Sequence, residues 1–421
     1  MSTAVARDVL VTGVGCVTPL GAGVPATWEG LLNGRSGVRR LTEDWADALP
    51  VRVAATAPDP NPPLPRAARR RLDRSTQYAL QAAHEAWSDA GLPQEPKTGS
   101  SPDPERLGVV VASAVGGVTT LLTNHEKFLA RGARAVSPHL VPMMLPNATA
   151  AQTAIAYGAR AFALAPSGAC ASGTEAVIQA AEAIRSGAAD VVLAGGAEAP
   201  VSPMGVAAFA AMRALATDSS NDPSRASRPF GKGRTGMVLG EGAGILVLEA
   251  AEHAAARGAR AYCRIAGGGR SVDAYGMTHP RPDGSAAAMA MMRALRAAGA
   301  APAEVSHINA HATGTPVGDA AEAVALGRVF GDDLARIPVT APKSATGHLQ
   351  AGAGAVETVI TALSLYHRTV PPSLNADDID DGIGFELVRW SPRPLGEGRL
   401  IGVSNSFGFG GHNAVVVLAR E

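Results

Sequence analysis

Short, almost wholly apolar runs recur along the chain and alternate with stretches of helical spacing. Val9 to Thr12, Leu107 to Ala112 (LGVVVA), Ala189 to Gly195 (ADVVLAG) and Ile245 to Leu248 are such runs. Runs this short, without polar alternation, fit strands covered on both faces. Between them, Arg74 to Ala90 carries Tyr78, Ala79, Ala82, Ala83 and Ala86 at helical spacing, and Ser172 to Ser186 carries Val177, Ile178, Ala181 and Ile184. Pro58 to Pro65 (PDPNPPLP) predicts a loop, because proline neither donates to a strand ladder nor continues a helix. After a short helix at Ala251 to Arg257 the pattern restarts. Tyr262 to Ala266 predicts a strand, Gly284 to Ala298 a helix, and Val305 to Ala310 and Val339 to Ala341 strands. Gly352 to Tyr366 predicts a helix, and Leu400 to Val403 and Ala414 to Leu418 two last strands. Strands alternating with helices define an α/β fold. The restart divides it into two halves, 1–257 and 258–421, joined near Gly258 without a low-complexity linker.

Composition narrows the function. At 421 residues, with 46% hydrophobic and 18% charged, the chain has the make-up of a large folded protein. Lys and Arg together number 37, as do Asp and Glu, so the basic excess expected of a nucleic-acid binder is missing. The three cysteines, Cys16, Cys170 and Cys263, are too few for a disulfide scaffold and suit a reducing compartment. The first twenty residues lack the charged start and long apolar stretch of a signal peptide, and no uninterrupted apolar window is long enough for a membrane span. The expectation is a cytoplasmic enzyme with no membrane segment.

Four residues carry candidate chemistry. Cys170 lies in PSGACASGTEAV, among small residues and just before the helix that starts near Ser172. A thiol at a helix N-terminus feels the positive end of the dipole, which favours the thiolate and an activated nucleophile. A lone cysteine is as often an inert core residue, and Cys16 and Cys263, inside apolar runs, read that way. His311 and His348 each follow a short strand, where α/β sheets place their active sites. Lys343 is the last of only four lysines in a chain that otherwise uses arginine, and an ammonium is not replaceable by a guanidinium where a point charge is needed. Near the C-terminus, SNSFGFGGHN (404–413) predicts an exposed glycine loop between two strands, able to aim backbone N–H groups at a ligand.

These segments together resemble the β-ketoacyl-ACP synthases of the thiolase superfamily. The matching blocks are VTGVGCVTPLG near the start, ACASG at 169–173, RPF…GMVLGEGAG at 228–244, NAHATGTP at 309–316, KSATGHLQAGAGAVE at 343–357 and NSFGFGGHN at 405–413. They run the length of the chain in family order. The pair His311 and His348 resembles the elongating Cys-His-His class rather than the initiating Cys-His-Asn class. The glycine loop lacks the second cysteine of degradative thiolases, and Cys170 separates the chain from chain-length-factor subunits.

The resemblance implies a thiolase-like fold, two similar α/β halves layered αβαβα. It implies a condensing acyltransferase in which Cys170 carries an acyl chain as a thioester. The N–H groups of Cys170 and Phe409 would form an oxyanion hole, and Phe409 would also act as a gate. His311 and His348 would stabilise the enolate left by decarboxylation of malonyl-ACP, with Lys343 and Glu357 behind them. Thr313 and Thr315 would contact the pantetheine arm, and Val115, Met143 and Met144 would border the acyl pocket. Arg66, Arg69, Arg70, Arg71 and Arg74, with Arg213, would dock an acyl carrier protein. No metal or organic cofactor is implied, since the phosphopantetheine arrives on the carrier. The partner would be a second copy or a ketosynthase-like chain length factor. Departures such as HATGTP for HGTGTP, Gly231 where an aspartate is frequent and Leu72 for a frequent Met favour type II polyketide (polyene-like) assembly over fatty-acid elongation. A non-catalytic partner subunit and a cysteine hydrolase of another fold are the alternatives of different class.

Overall fold

The computed structural model describes residues 7–93, 102–217 and 222–421. Its main sheet uses the strands β1 (Val9–Thr18), β2 (Leu107–Ala112), β3 (Phe162–Leu164), β4 (Val191–Glu198), β5 (Gly242–Ala250), β6 (Cys263–Val272), β7 (His307–Asn309), β8 (Val339–Thr340), β9 (Leu400–Gly408) and β10 (His412–Arg420). The spatial order is β8-β7-β9-β10-β6-β1-β5-β4-β2-β3. Strands β3, β2 and β4 are parallel, and β5 and then β1 continue antiparallel. Strands β8, β7 and β9 are parallel, and β10 and then β6 continue antiparallel. One connectivity therefore occurs twice. The two sets meet where Leu10 faces Arg264 and Val11 faces Cys263.

The layers follow from alternation along the strands. Val109, Val111, Leu193 and Ile245 face an outer core with Tyr78 and Trp87 of α1 (Arg74–Asp89). Val110, Val192 and Leu246 face the opposite way, into a central core with Ile178 of α2 (Ser172–Arg185) and Ile360 of α3 (Ala351–Tyr366). In the second set Val416 and Leu418 join that central core, while Val415 and Val417 pack against Met291 of the helix Ser285–Ala298. Outer helix, sheet, central helix pair, sheet and outer helix give the five layers. Among the described residues no helix is long and apolar enough to cross a membrane.

Several expected strands end too early. β1, β6, β9 and β10 each run beyond the apolar stretch, through or up to glycines. A Cβ on Gly13 or Gly15 would sit 2.1 Å from a backbone carbonyl of α1, so these glycines let the helix lie close on the strand rather than ending it. The expected loop at 404–413 is largely strand. Gly408 pairs with His412 around a turn of Phe409, Gly410 and Gly411, and the two glycines take positive φ (82° and 75°). The helices Val118–Arg131, Ala148–Tyr157 and Pro316–Phe330 and the strand β3 were not expected from the pattern.

Candidate active site

The repeated connectivity brings the candidate residues together. Cys170 stands in the turn after β3 and before α2, and Lys343 to His348 stand in the matching stretch after β8 and before α3. α2 and α3 touch closely enough that a Cβ on Gly173 would lie 2.5 Å from the Ala351 carbonyl oxygen. His311 follows β7, and the β9–β10 turn closes the remaining side. A cleft of about 510 Å³ is lined by Cys170, His311, His348, Phe409, Thr313 and Thr315, with Arg213 also on its wall.

Cys170 is buried, and its thiol donates to Gln350 Oε1 at 3.5 Å. Burial pushes the thiol up to about 11, against the lowering influence of the Lys343 ammonium and of the Phe409 and Cys170 backbone N–H groups. The expected thiolate is therefore not the resting form: loss of hydration outweighs the helix start. Both of these N–H groups approach Sγ. A Cβ on Gly408 would come within 3.1 Å of the Cys170 nitrogen and 2.4 Å of the Gly168 oxygen, so the glycine keeps the space before that N–H open.

Lys343 is buried behind His311. Its Nζ pairs with Glu357, donates to the His311 carbonyl oxygen at 2.5 Å and lies 3.4 Å from His311 Nδ1. An ammonium has only donors, so Nδ1 accepts and the ring proton belongs on Nε2. The His311 and His348 rings are 5.5 Å apart and nearly perpendicular. Burial and then the nearby ammonium hold both well below the usual imidazole range, so both are neutral donors at neutral pH. Among the described residues neither ring nitrogen of His348 has a hydrogen-bond partner. Burial lifts the Glu357 carboxyl to about 7 although Lys343 pulls it down.

The remaining expectations fare unevenly. Thr313 and Thr315 lie 3.0 Å apart, oxygen to oxygen, and Thr315 also caps the helix Pro316–Phe330 by accepting from the Gly318 N–H. Arg213 is exposed. Val115, Met143 and Met144 do not line the cleft; Val115 is 50% exposed, and the Met144 carbonyl accepts from the Gly117 N–H of the same chain at 3.1 Å. Arg66, Arg70 and Arg71 are exposed, whereas Arg69 binds Asn61. Arg74 is no free docking cation: it pairs with buried Glu241 at 3.0 Å and with Asp59 at 2.8 Å.

Sequence reasoning missed three buried groups. Glu322 accepts from the His311 and Ala312 N–H groups (2.8 and 2.7 Å) and from Asn405, fixing the turn that carries His311. Its signal was an acid spaced three residues from Asp319 on a helix rich in buried alanine. Glu198, lifted to about 7 by burial, accepts from Ser113 Oγ and the Ala114 N–H. Gln350 gave no signal beyond its place after His348.

A cysteine at a helix start, two neutral histidines and a buried lysine–glutamate pair, set on a duplicated α/β layer structure, define a thiolase-like condensing-enzyme site. The chain belongs to the β-ketoacyl synthase family. The family's N-terminal domain model matches residues 6–254 and its C-terminal domain model residues 262–377. A relative from Coxiella burnetii, 3-oxoacyl-[acyl-carrier-protein] synthase 2, is 40% identical over 98% of this chain and 99% of its own. The ishigamide ketosynthase/chain length factor superposes with a TM-score of 0.89 at 32% identity, covering 99% of this chain and all of its own (100%). A type II polyketide ketosynthase bound to the hexaketide and in complex with its acyl-carrier protein superposes with a TM-score of 0.88 at 30% identity, again over 99% and 100%. The chain is thus an acyltransferase of this family, with the thiolase-like α/β fold.

Proposed function

We propose that the protein condenses a Cys170-bound acyl chain with malonyl-ACP, releasing CO2 and a 3-oxoacyl-ACP. The observation that carries this is the convergence of Cys170, His311 and His348 on one cleft, with Lys343 held behind His311. In the first half-reaction the Cys170 sulfur attacks the acyl thioester, and its proton leaves with the carrier thiol. The Cys170 and Phe409 N–H groups hold the oxyanion of that step. In the second, the C–C bond to the malonyl carboxylate breaks and its electron pair moves into an enolate. The neutral N–H donors of His311 and His348 hold the enolate oxygen; a neutral donor stabilises the charge without giving up its proton. The enolate carbon attacks the acyl carbonyl, Cys170 is expelled as thiolate and takes a proton from solvent. Loss of CO2 drives the sequence, so the chain needs no metal or organic cofactor of its own in this reading; the phosphopantetheine comes on the carrier, with Thr313 and Thr315 along its path.

The halves 1–257 and 258–421 read as two copies of one unit, each with the same strand connectivity. Arg213 at the cleft, with Arg66, Arg70 and Arg71, would receive the acidic carrier. The open edge of β3, with Leu164 47% exposed, and the exposed Val141 and Leu145 would seat a second copy or a chain length factor. That partner would complete an acyl pocket from Val115, Met143 and Met144, which the single chain leaves outside the cleft. Three free cysteines suit the reducing cytoplasm. We favour type II polyketide assembly, on the motif departures and the likeness to polyketide ketosynthases. Fatty-acid elongation is the second reading, favoured by the 40% identity to a 3-oxoacyl-[acyl-carrier-protein] synthase 2. The test of the chemistry is mass spectrometry after incubation with acyl-ACP. Wild type should gain one acyl group and Cys170→Ala none, and acylation that survives the substitution overturns the assignment.

A further inference from the structure

Gln350 holds a buried amide with almost nothing to bond. Its residue is 7% exposed and takes a positive φ (51°) immediately before α3. Its side chain does not cap that helix. Oε1 lies 3.5 Å from Cys170 Sγ, and Nε2 lies 4.0 Å from Met237 Sδ. Cys170 and Met237 both line the cleft. The amide thus spans two sulfurs. A thioether is a weak acceptor and a thiol a weak donor, while the amide offers two N–H groups and a carbonyl. Turning the amide over would only exchange the sulfurs. As placed, the carbonyl faces Cys170 and the N–H has only the weak Met237 thioether.

We infer that Gln350 selects acyl chains with an oxygen acceptor at C3. This rests on the reading of Cys170 as the acylated nucleophile. Once Cys170 is acylated its S–H is gone and Oε1 loses that contact. The amide is then free to turn its N–H toward the first carbons of the chain. A saturated chain offers those carbons no acceptor and leaves the N–H with the Met237 thioether alone. A 3-oxoacyl chain offers a carbonyl. Exchanging a weak thioether acceptor for a carbonyl is worth enough to separate the two by up to about tenfold. Such selection fits an enzyme that receives chains whose 3-oxo groups have not been reduced, and it opposes one that receives fully reduced chains.

The experiment compares Cys170 acylation by acetoacetyl and butyryl thioesters of N-acetylcysteamine, two acyl groups of equal length, by intact-mass kinetics. Wild type is set against Gln350→Leu and Gln350→Met, which remove the amide and keep the bulk. The intrinsic reactivities of the thioesters cancel when each protein's acetoacetyl-to-butyryl ratio is compared with wild type. The expected result is a ratio that falls by up to about tenfold in both variants, mostly through slower acetoacetyl transfer. If one variant fails to fold, the other carries the comparison. A ratio unchanged within about twofold, with acylation intact, overturns the role of Gln350 and leaves the condensing reading standing. Absence of acylation of wild-type Cys170 by either thioester, and by acyl-ACP, overturns both.

Discussion

The Lys343–Glu357 pair allows two substitutions to be told apart by opposite effects on rate and stability. Both side chains are buried, and the ammonium also holds His311 through its carbonyl oxygen and Nδ1. Removing one member of a buried pair typically costs about 3–5 kcal/mol, because the other charge is left uncompensated. The two members differ in how they escape that cost. In Lys343→Met the remaining Glu357 carboxyl, already at about 7 beside the ammonium, moves higher and becomes neutral at neutral pH. Its loss should therefore lie at or below the lower end, about 3 kcal/mol. In Glu357→Gln, Lys343 loses its hydrogen-bonded carboxylate and keeps the His311 contacts and the weaker attraction of Glu322, and the loss should reach the upper end, about 5 kcal/mol. The rates should run the other way. Lys343→Met frees the His311 tautomer and removes the positive charge beside the enolate, so CO2 release from malonyl-ACP should fall by about 10²- to 10³-fold. Glu357→Gln keeps Lys343 on His311 and should fall by about tenfold or less. The same ammonium helps to hold His311 below its ordinary range, so an NMR titration should find His311 titrating at higher pH in Lys343→Met than in wild type. Urea unfolding at fixed pH and a CO2-release assay measure the two orders. If Lys343→Met is the less stable variant and the faster one, the arrangement described here is wrong.

Three further outcomes are expected. Because burial pushes the Cys170 thiol up to about 11, its alkylation by iodoacetamide should rise about tenfold per pH unit between about pH 7 and pH 9; a plateau in that range would show a thiolate already formed. Gly408→Ala would place its Cβ 3.1 Å from the Cys170 nitrogen, so acyl transfer to Cys170 should fall by about 10²- to 10³-fold while circular dichroism still reports a folded protein; an unchanged rate would remove Gly408 from the oxyanion site. Reversing the exposed Arg70 and Arg71 to Glu should raise KM for carrier-bound substrate, an effect that added salt narrows, and spare small thioesters; equal loss on both substrates would refute docking there.

Much of the fold was legible because strands buried on both faces are written as continuous apolar runs. β2 was read with its observed bounds, Leu107–Ala112. The errors cluster at glycine. Gly13, Gly15 and the 267–269 run dilute the apolar signal, yet they are the positions where helices lie closest on the sheet. β3, only three residues long and exposed at Leu164, gave no run to read. At the site, the residues in specific motifs were legible, and those whose importance depends on distant partners were not. Arg74 looked like one of a basic run because its partner Glu241 lies 167 residues away. The thiolate expectation for Cys170 weighed the helix start but could not weigh burial, which only the folded layers create.

The same layers explain where backbone strain is held. Nine non-glycine residues among those described have positive φ, and three of them flank the chemistry: Ala169 (φ 50°) before Cys170, Ala312 (φ 39°) after His311, and Gln350 (φ 51°) two residues beyond His348. Each positive-φ residue with a Cβ costs roughly 1–2 kcal/mol. Local preference alone would relax these turns and swing the three side chains apart. What opposes this is the contact of α2 with α3, which pins the Cys170 and His348 turns to the start of two facing helices, and Glu322, which holds the His311 and Ala312 N–H groups together. The geometry of the site is therefore a property of the duplicated architecture rather than of the motifs. The motifs supply the side chains, and the packed helix pair holds them in turns that none of the three segments would keep alone.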